Sequence, residues 1–102
     1  MDYYNNLTPQ QLEMLAILSE ECGEVVQRIG KILRHGLNSV NPNTKIDNTV
    51  ALECELGDIC AAMESLAMLG IIDLEVIQNQ MNSKLEKFKS GEAYLRHFNI
   101  AG

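Results

Sequence analysis

Between Thr8 and Gly36 the sequence carries one unbroken helical pattern, and its length limits what the chain can fold into. Thr8 is a good N-cap and Pro9 stands at the first helical position, where its missing N–H is harmless. Leu7 and Leu12 flank the start as a hydrophobic staple. Leu15, Leu18, Cys22, Val25, Ile29, Ile32 and Leu33 follow at the spacing of one helical face. Lys31, Arg34 and His35 fill the last turn, favourable for the helix dipole, and Gly36 is a natural stop. Such a helix has about 28 residues and spans roughly 42 Å. A compact domain of this size has a radius of gyration of only ~13 Å. The helix therefore overhangs its own domain with its apolar stripe still running, and a second subunit is expected to cover it. Gly23 and Gly30 weaken the helix by up to ~1 kcal/mol each and are read as places where another helix comes close.

The remaining chain is also helical in pattern. Residues 37–47 are rich in Asn, Ser and Pro and read as a loop. A second helix starts near Asn48 or Thr49, with the stripe Leu52, Leu56, Ile59, Met63 and Leu66, and stops at Gly70. Asp73 caps a third, which carries Leu74, Ile77, Met81, Leu85 and Phe88 and ends at Ser90-Gly91. Residues 92–102 read as a short extra turn. No stretch alternates with a two-residue period. The expectation is an all-α fold with a single domain over 1–102. It is an antiparallel helical bundle of three main helices plus a short C-terminal turn, completed by oligomerisation.

Charge narrows the function. The net charge of the 102 residues is -6, so nucleic acid is not expected to bind through a basic surface. An acidic chain that handles phosphates needs positive charge from elsewhere, and a metal ion can supply it. The N-terminus lacks the basic and apolar regions of a signal peptide. The longest apolar stretch, Ile59 to Ile72, contains Glu64 and is too short to span a bilayer, so no membrane association is expected. Cys22, Cys54 and Cys60 form no CxxC and no even set, and read as buried free thiols of a cytoplasmic protein. His35 and His97 have no partner pattern for zinc or for nucleophilic catalysis. No glycine-rich phosphate loop follows a strand.

Four acids are placed unusually. Glu21 and Glu24 share one face of the first helix, and Glu55 and Asp58 repeat the arrangement on the second. Both pairs border the apolar stripes. A solvated helix-face acid usually has a base four residues on, but Glu21 is followed by Val25, Glu55 by Ile59 and Asp58 by Ala62. Only Glu24 has one, in Arg28. Unpaired like charges beside a core raise the free energy, and a hard cation removes that penalty. On spacing alone, two ordinary acidic surface pairs remain the alternative.

The segments Ser19-Glu20-Glu21-Cys22-Gly23-Glu24-Val25 and Leu52-Glu53-Cys54-Glu55-Leu56-Gly57-Asp58-Ile59 resemble the signature of the MazG-like all-α nucleoside triphosphate pyrophosphohydrolases. The stretch Leu33-Arg34-His35-Gly36-Leu37-Asn38-Ser39-Val40-Asn41-Pro42 is similar to small single-domain members seen in phages and prophages. The resemblance covers roughly residues 10–90. It implies hydrolysis of a (deoxy)nucleoside triphosphate to the monophosphate and pyrophosphate, a house-cleaning of the nucleotide pool. It implies Mg²⁺, with Mn²⁺ as a substitute, held by Glu21, Glu24, Glu55 and Asp58. It implies catalytic roles for Glu24 and Glu55, with Glu24 orienting the attacking water, and a homo-oligomer, dimer or tetramer. Asn82-Ser83-Lys84-Leu85 is similar to the family's Asn-x-Lys-Phe element, which makes Asn82 and Lys84 substrate-binding candidates, with Lys31 and Lys87 behind them. The chain departs from relatives that stack the base on Trp, because it has none. A non-catalytic nucleotide-binding or regulatory helical oligomer with the same fold is the competing reading.

Overall fold

Thr8 opens the first helix through a reciprocal exchange. Its hydroxyl accepts from the Gln11 backbone N–H at 3.1 Å, and the Gln11 side chain accepts from the Thr8 N–H at 3.0 Å. Two orphan donors of the first turn are thereby satisfied. The helix α1 (Pro9–His35) runs 27 residues without a break to Gly36, which has φ 87°. The computed structural model describes residues 5–90, 95, 97 and 98. Two more helices follow, α2 (Asn48–Met68) and α3 (Leu74–Ser90), and the only β pairing among the described residues is the single bridge Val40–Asp47. The fold is all-α, as expected, with each helix within two residues of its expected bounds.

The chain divides into two units, Met1–Ile72 and Asp73–Gly102. In the first, α1 and α2 lie antiparallel. Met14 and Ile17 meet Ala61, Ala62 and Ser65 at one end, and Arg28 meets Asn48 at the other. The seam uses Met14, Ile17, Glu21, Glu24, Arg28, Lys31 and His35 on α1, steps of three and four residues that return to one face. On α2 it uses Asn48, Ala51, Glu55, Asp58, Ala62 and Ser65 in the same steps. Among the described residues, Ala62 and Leu66 are the buried apolar side chains.

Between the helices, residues 37–47 form a tied loop. The Asn41 side chain accepts from the Asn43 and Thr44 N–H groups, and Asp47 caps α2 by accepting from Val50 N–H at 2.8 Å. Asn48 anchors the loop from below. It is buried, its Nδ2 donates to the Gly36 carbonyl at 3.0 Å, and its backbone N–H donates to Ser39. Gly70 ends α2 at φ 74°, which lets Ile71 N–H reach the Leu66 carbonyl and Gly70 N–H the Ala67 carbonyl, closing both carbonyls of the last turn. In the second unit, Asp73 accepts from Glu75 N–H as the cap of α3, and Phe88 meets Phe98 edge-on with centroids 5.9 Å apart.

Three expectations need correction or bounds. The cysteines are exposed, not buried, because the seam runs through neighbouring positions. Within the chain Gly23 and Gly30 mark no close approach: a Cβ at either would meet nothing within 4 Å. Most of the expected C-terminal turn lies outside the described residues, and Leu95, His97 and Phe98 are not helical.

Candidate metal centre

The middle of the seam is acidic where a helix pair of this kind is usually apolar. Glu21 and Glu24 come from successive turns of α1, and Glu55 and Asp58 from successive turns of α2. Antiparallel packing turns the two pairs toward each other. One carboxylate oxygen from each lies within 4.8 Å of the other three. Glu21, Glu24 and Glu55 are half-buried and Asp58 is exposed, so the cluster has an open side.

The protein leaves these charges poorly balanced. Oε2 of Glu21 is buried without a hydrogen-bond partner. Burial pushes the Glu55 carboxyl above its ordinary 4.5, and the hydrogen bond and charge of Glu24 push it further, with Asp58 adding to the rise. Arg28 acts in the opposite sense, its guanidinium 3.9 Å from Glu55. This is the only ion pair among the described residues. Four converging carboxylates, one of which carries an unpartnered buried oxygen, fit an Mg²⁺-type ion that retains open positions for water or phosphate. The donor set holds no thiolate or imidazole and is made of the hard oxygens that Mg²⁺-type ions prefer.

Arg28 differs from its sequence reading. It stands four residues after Glu24 yet reaches across the seam, to Glu55 and to the Asn48 amide oxygen at 3.5 Å. Its Nε is buried without a partner. Neither the importance of Arg28 nor that of Asn48 was expected. The signal available was their place on the same three-and-four spacing as the acids. Lys31 lies two turns beyond Glu24 on α1, in a groove with Arg28, Arg34 and His35. Asn82, Lys84 and Lys87 are exposed on α3, in the second unit, where Asn82 accepts from the Gln78 amide.

Two antiparallel helices bring four carboxylates to one seam, with an arginine alongside, in an all-α protein that could hold a metal ion there. The chain matches the family described as MazG nucleotide pyrophosphohydrolase domain over residues 9–90. It belongs to that family, whose members are as a rule metal-dependent, and membership points to nucleotide pyrophosphohydrolysis. No curated protein and no solved structure matches the chain. No described helix is long and apolar enough to cross a membrane.

Proposed function

We propose that the chain hydrolyses a nucleoside triphosphate to its monophosphate and pyrophosphate, with Mg²⁺ held by Glu21, Glu24, Glu55 and Asp58. The observation that carries this reading is the convergence of four carboxylate oxygens within 4.8 Å, beside Arg28, in a chain of this family. The bound ion supplies charge neutralisation for the phosphates and acidifies water. The residues do the rest. Glu24 orients the water and takes its proton, and Glu55, whose carboxylate lies within 4.8 Å across the seam, helps hold the ion and that water in place. The water oxygen bonds to the α-phosphorus, the bond to the α–β bridging oxygen breaks, and pyrophosphate leaves with that oxygen. Asn82 and Lys84 bind the nucleotide, with Lys31 and Lys87 as further cationic contacts. These four roles rest on the resemblance of the α3 motif and on charge.

The functional unit is a homo-oligomer. Val26, Ile29 and Leu33, at helical spacing on α1, are 69%, 43% and 81% exposed in the single chain, an apolar stripe that supports this reading. The test of the reaction is a panel of ribo- and deoxynucleoside triphosphates, incubated with the purified protein and Mg²⁺ and assayed for pyrophosphate. Release from at least one nucleotide, abolished by EDTA and by Glu55→Ala, is expected. No release across the whole panel overturns the reading.

A further inference from the structure

The seam face of α1 changes character along its length. Met14 and Ile17 are apolar, Glu21 and Glu24 acidic, Arg28, Lys31 and His35 basic, and the sign reverses within one turn between Glu24 and Arg28. The basic part is not a flat surface. Arg28, Lys31, Arg34 and His35 line a groove of about 350 Å³ whose other wall includes Asn41 of the tied loop and Asn48 of α2. No acidic residue lines it. Lys31 and Arg34 make no ion pair among the described residues, and Arg28, paired with Glu55 through its terminal nitrogen, keeps a buried Nε–H without a partner.

Placing cations at a helix C-terminus is favourable in itself, because it complements the partial negative charge there. That ordinary explanation covers Arg34 and His35 but not the groove. The N-terminus of α2 meets the C-terminus of α1 at this point, as the Asn48–Gly36 hydrogen bond requires. The two macrodipoles oppose each other, which leaves the side-chain charge to set the sign of the potential. The first amides of α2 are already satisfied by Ser39, Leu37 and Asp47, so side chains rather than backbone would have to grip a ligand.

We infer that this groove is the subsite for the outer phosphates of the substrate. The triphosphate lies along the seam, with its α-phosphorus at the four carboxylates and its β- and γ-phosphates among Arg28, Lys31, Arg34 and His35. This rests on the proposed reaction and adds the direction of the substrate: pyrophosphate departs toward the C-terminal end of α1. The rise per residue puts Arg28 about 6 Å and Lys31 about 10 Å past Glu24 along the axis, distances that flexible cationic side chains span. Lys31 and Arg34 act by binding charge that develops on the leaving group, and Arg28 bridges the two halves of the site.

The test is a calorimetric titration of the full chain with Mg²⁺ present, using pyrophosphate, inorganic phosphate and a nucleoside monophosphate. The double variant Lys31→Gln/Arg34→Gln is compared with wild type and with the charge-conserving Lys31→Arg/Arg34→Lys. Both residues are exposed, so the fold should persist, and unchanged circular dichroism and melting check it. The Gln variant is expected to bind pyrophosphate at least tenfold more weakly and monophosphate within twofold of wild type. The charge-conserving variant should recover most of the loss. Equal weakening of both ligands, or undiminished pyrophosphate binding, overturns the inference. A wild type that does not bind pyrophosphate, or binds it no better than inorganic phosphate, overturns it too. Should wild type bind pyrophosphate through these residues yet hydrolyse no nucleotide, the groove stands and only the proposed reaction falls.

Discussion

Replacing Glu55 with Gln removes one of four like charges whose oxygens lie within 4.8 Å of one another. Two unit charges 4.8 Å apart repel by about 3.5 kcal/mol at an effective dielectric of ~20 and by about 0.9 kcal/mol in bulk water. Glu55 faces three such neighbours and one attractive partner, Arg28 at 3.9 Å. With Asp58 exposed and therefore screened, the unbalanced repulsion amounts to about 1–3 kcal/mol. Glu55→Gln should stabilise the metal-free protein by that amount near neutral pH. In a domain of this size that is roughly 4–8 °C of melting temperature per kcal/mol. The sign with pH follows from the raised Glu55 carboxyl, whose causes are burial first and then Glu24. An acid with a raised folded pKa contributes stability that is complete below its unfolded value, here 4.5, and is lost as pH rises through the folded value. The gap between variant and wild type should therefore be small near about pH 4 and full near about pH 8. Saturating Mg²⁺ should invert the order, because the ion stabilises the wild type in proportion to its tighter binding. Thermal melts in EDTA and in Mg²⁺ across this pH range measure each part. A metal-free variant that melts at or below wild type at the alkaline end would refute the charge argument.

Four further outcomes are expected. Leu66→Ala, at the most buried apolar side chain, should lower unfolding free energy by about 2–4 kcal/mol in a denaturant titration. Asn48→Ala leaves the Gly36 carbonyl and Arg28 without their partner, and should destabilise by about 1–3 kcal/mol in the same assay. Lys84→Ala should raise KM for the nucleotide roughly tenfold, the value of one charge-assisted contact, with secondary structure intact by circular dichroism. Leu33→Glu introduces a charge where 81% of an apolar side chain is exposed, and sedimentation should show a smaller species than wild type. A wild type that sediments as a monomer would remove the case for an oligomer.

The helices and the identity of the four acids were readable without coordinates, because both depend on local rules. Thr8, Gly36 and Gly70 act through backbone groups within a few residues, so spacing and residue type suffice to place those ends, whereas the Asp47 cap of α2 was read as loop. Glu21, Glu24, Glu55 and Asp58 carried a local signal too, the missing base one turn on at three of them. Other features depend on which faces meet, and a stripe on one helix does not specify that. The cysteines lie on apolar-looking faces yet are exposed, since the seam runs beside them. Gly23 and Gly30 suggested a crossing that no described helix of the chain makes. Arg28 looked like an intrahelical partner of Glu24, and packing sent it across to Glu55 and Asn48. By itself the sequence determined three helices, the caps of the first and third and two acidic pairs, through interactions spanning at most a turn. Only the tertiary structure decided that the pairs converge within 4.8 Å and that a basic groove adjoins them, because both require antiparallel helices in one register.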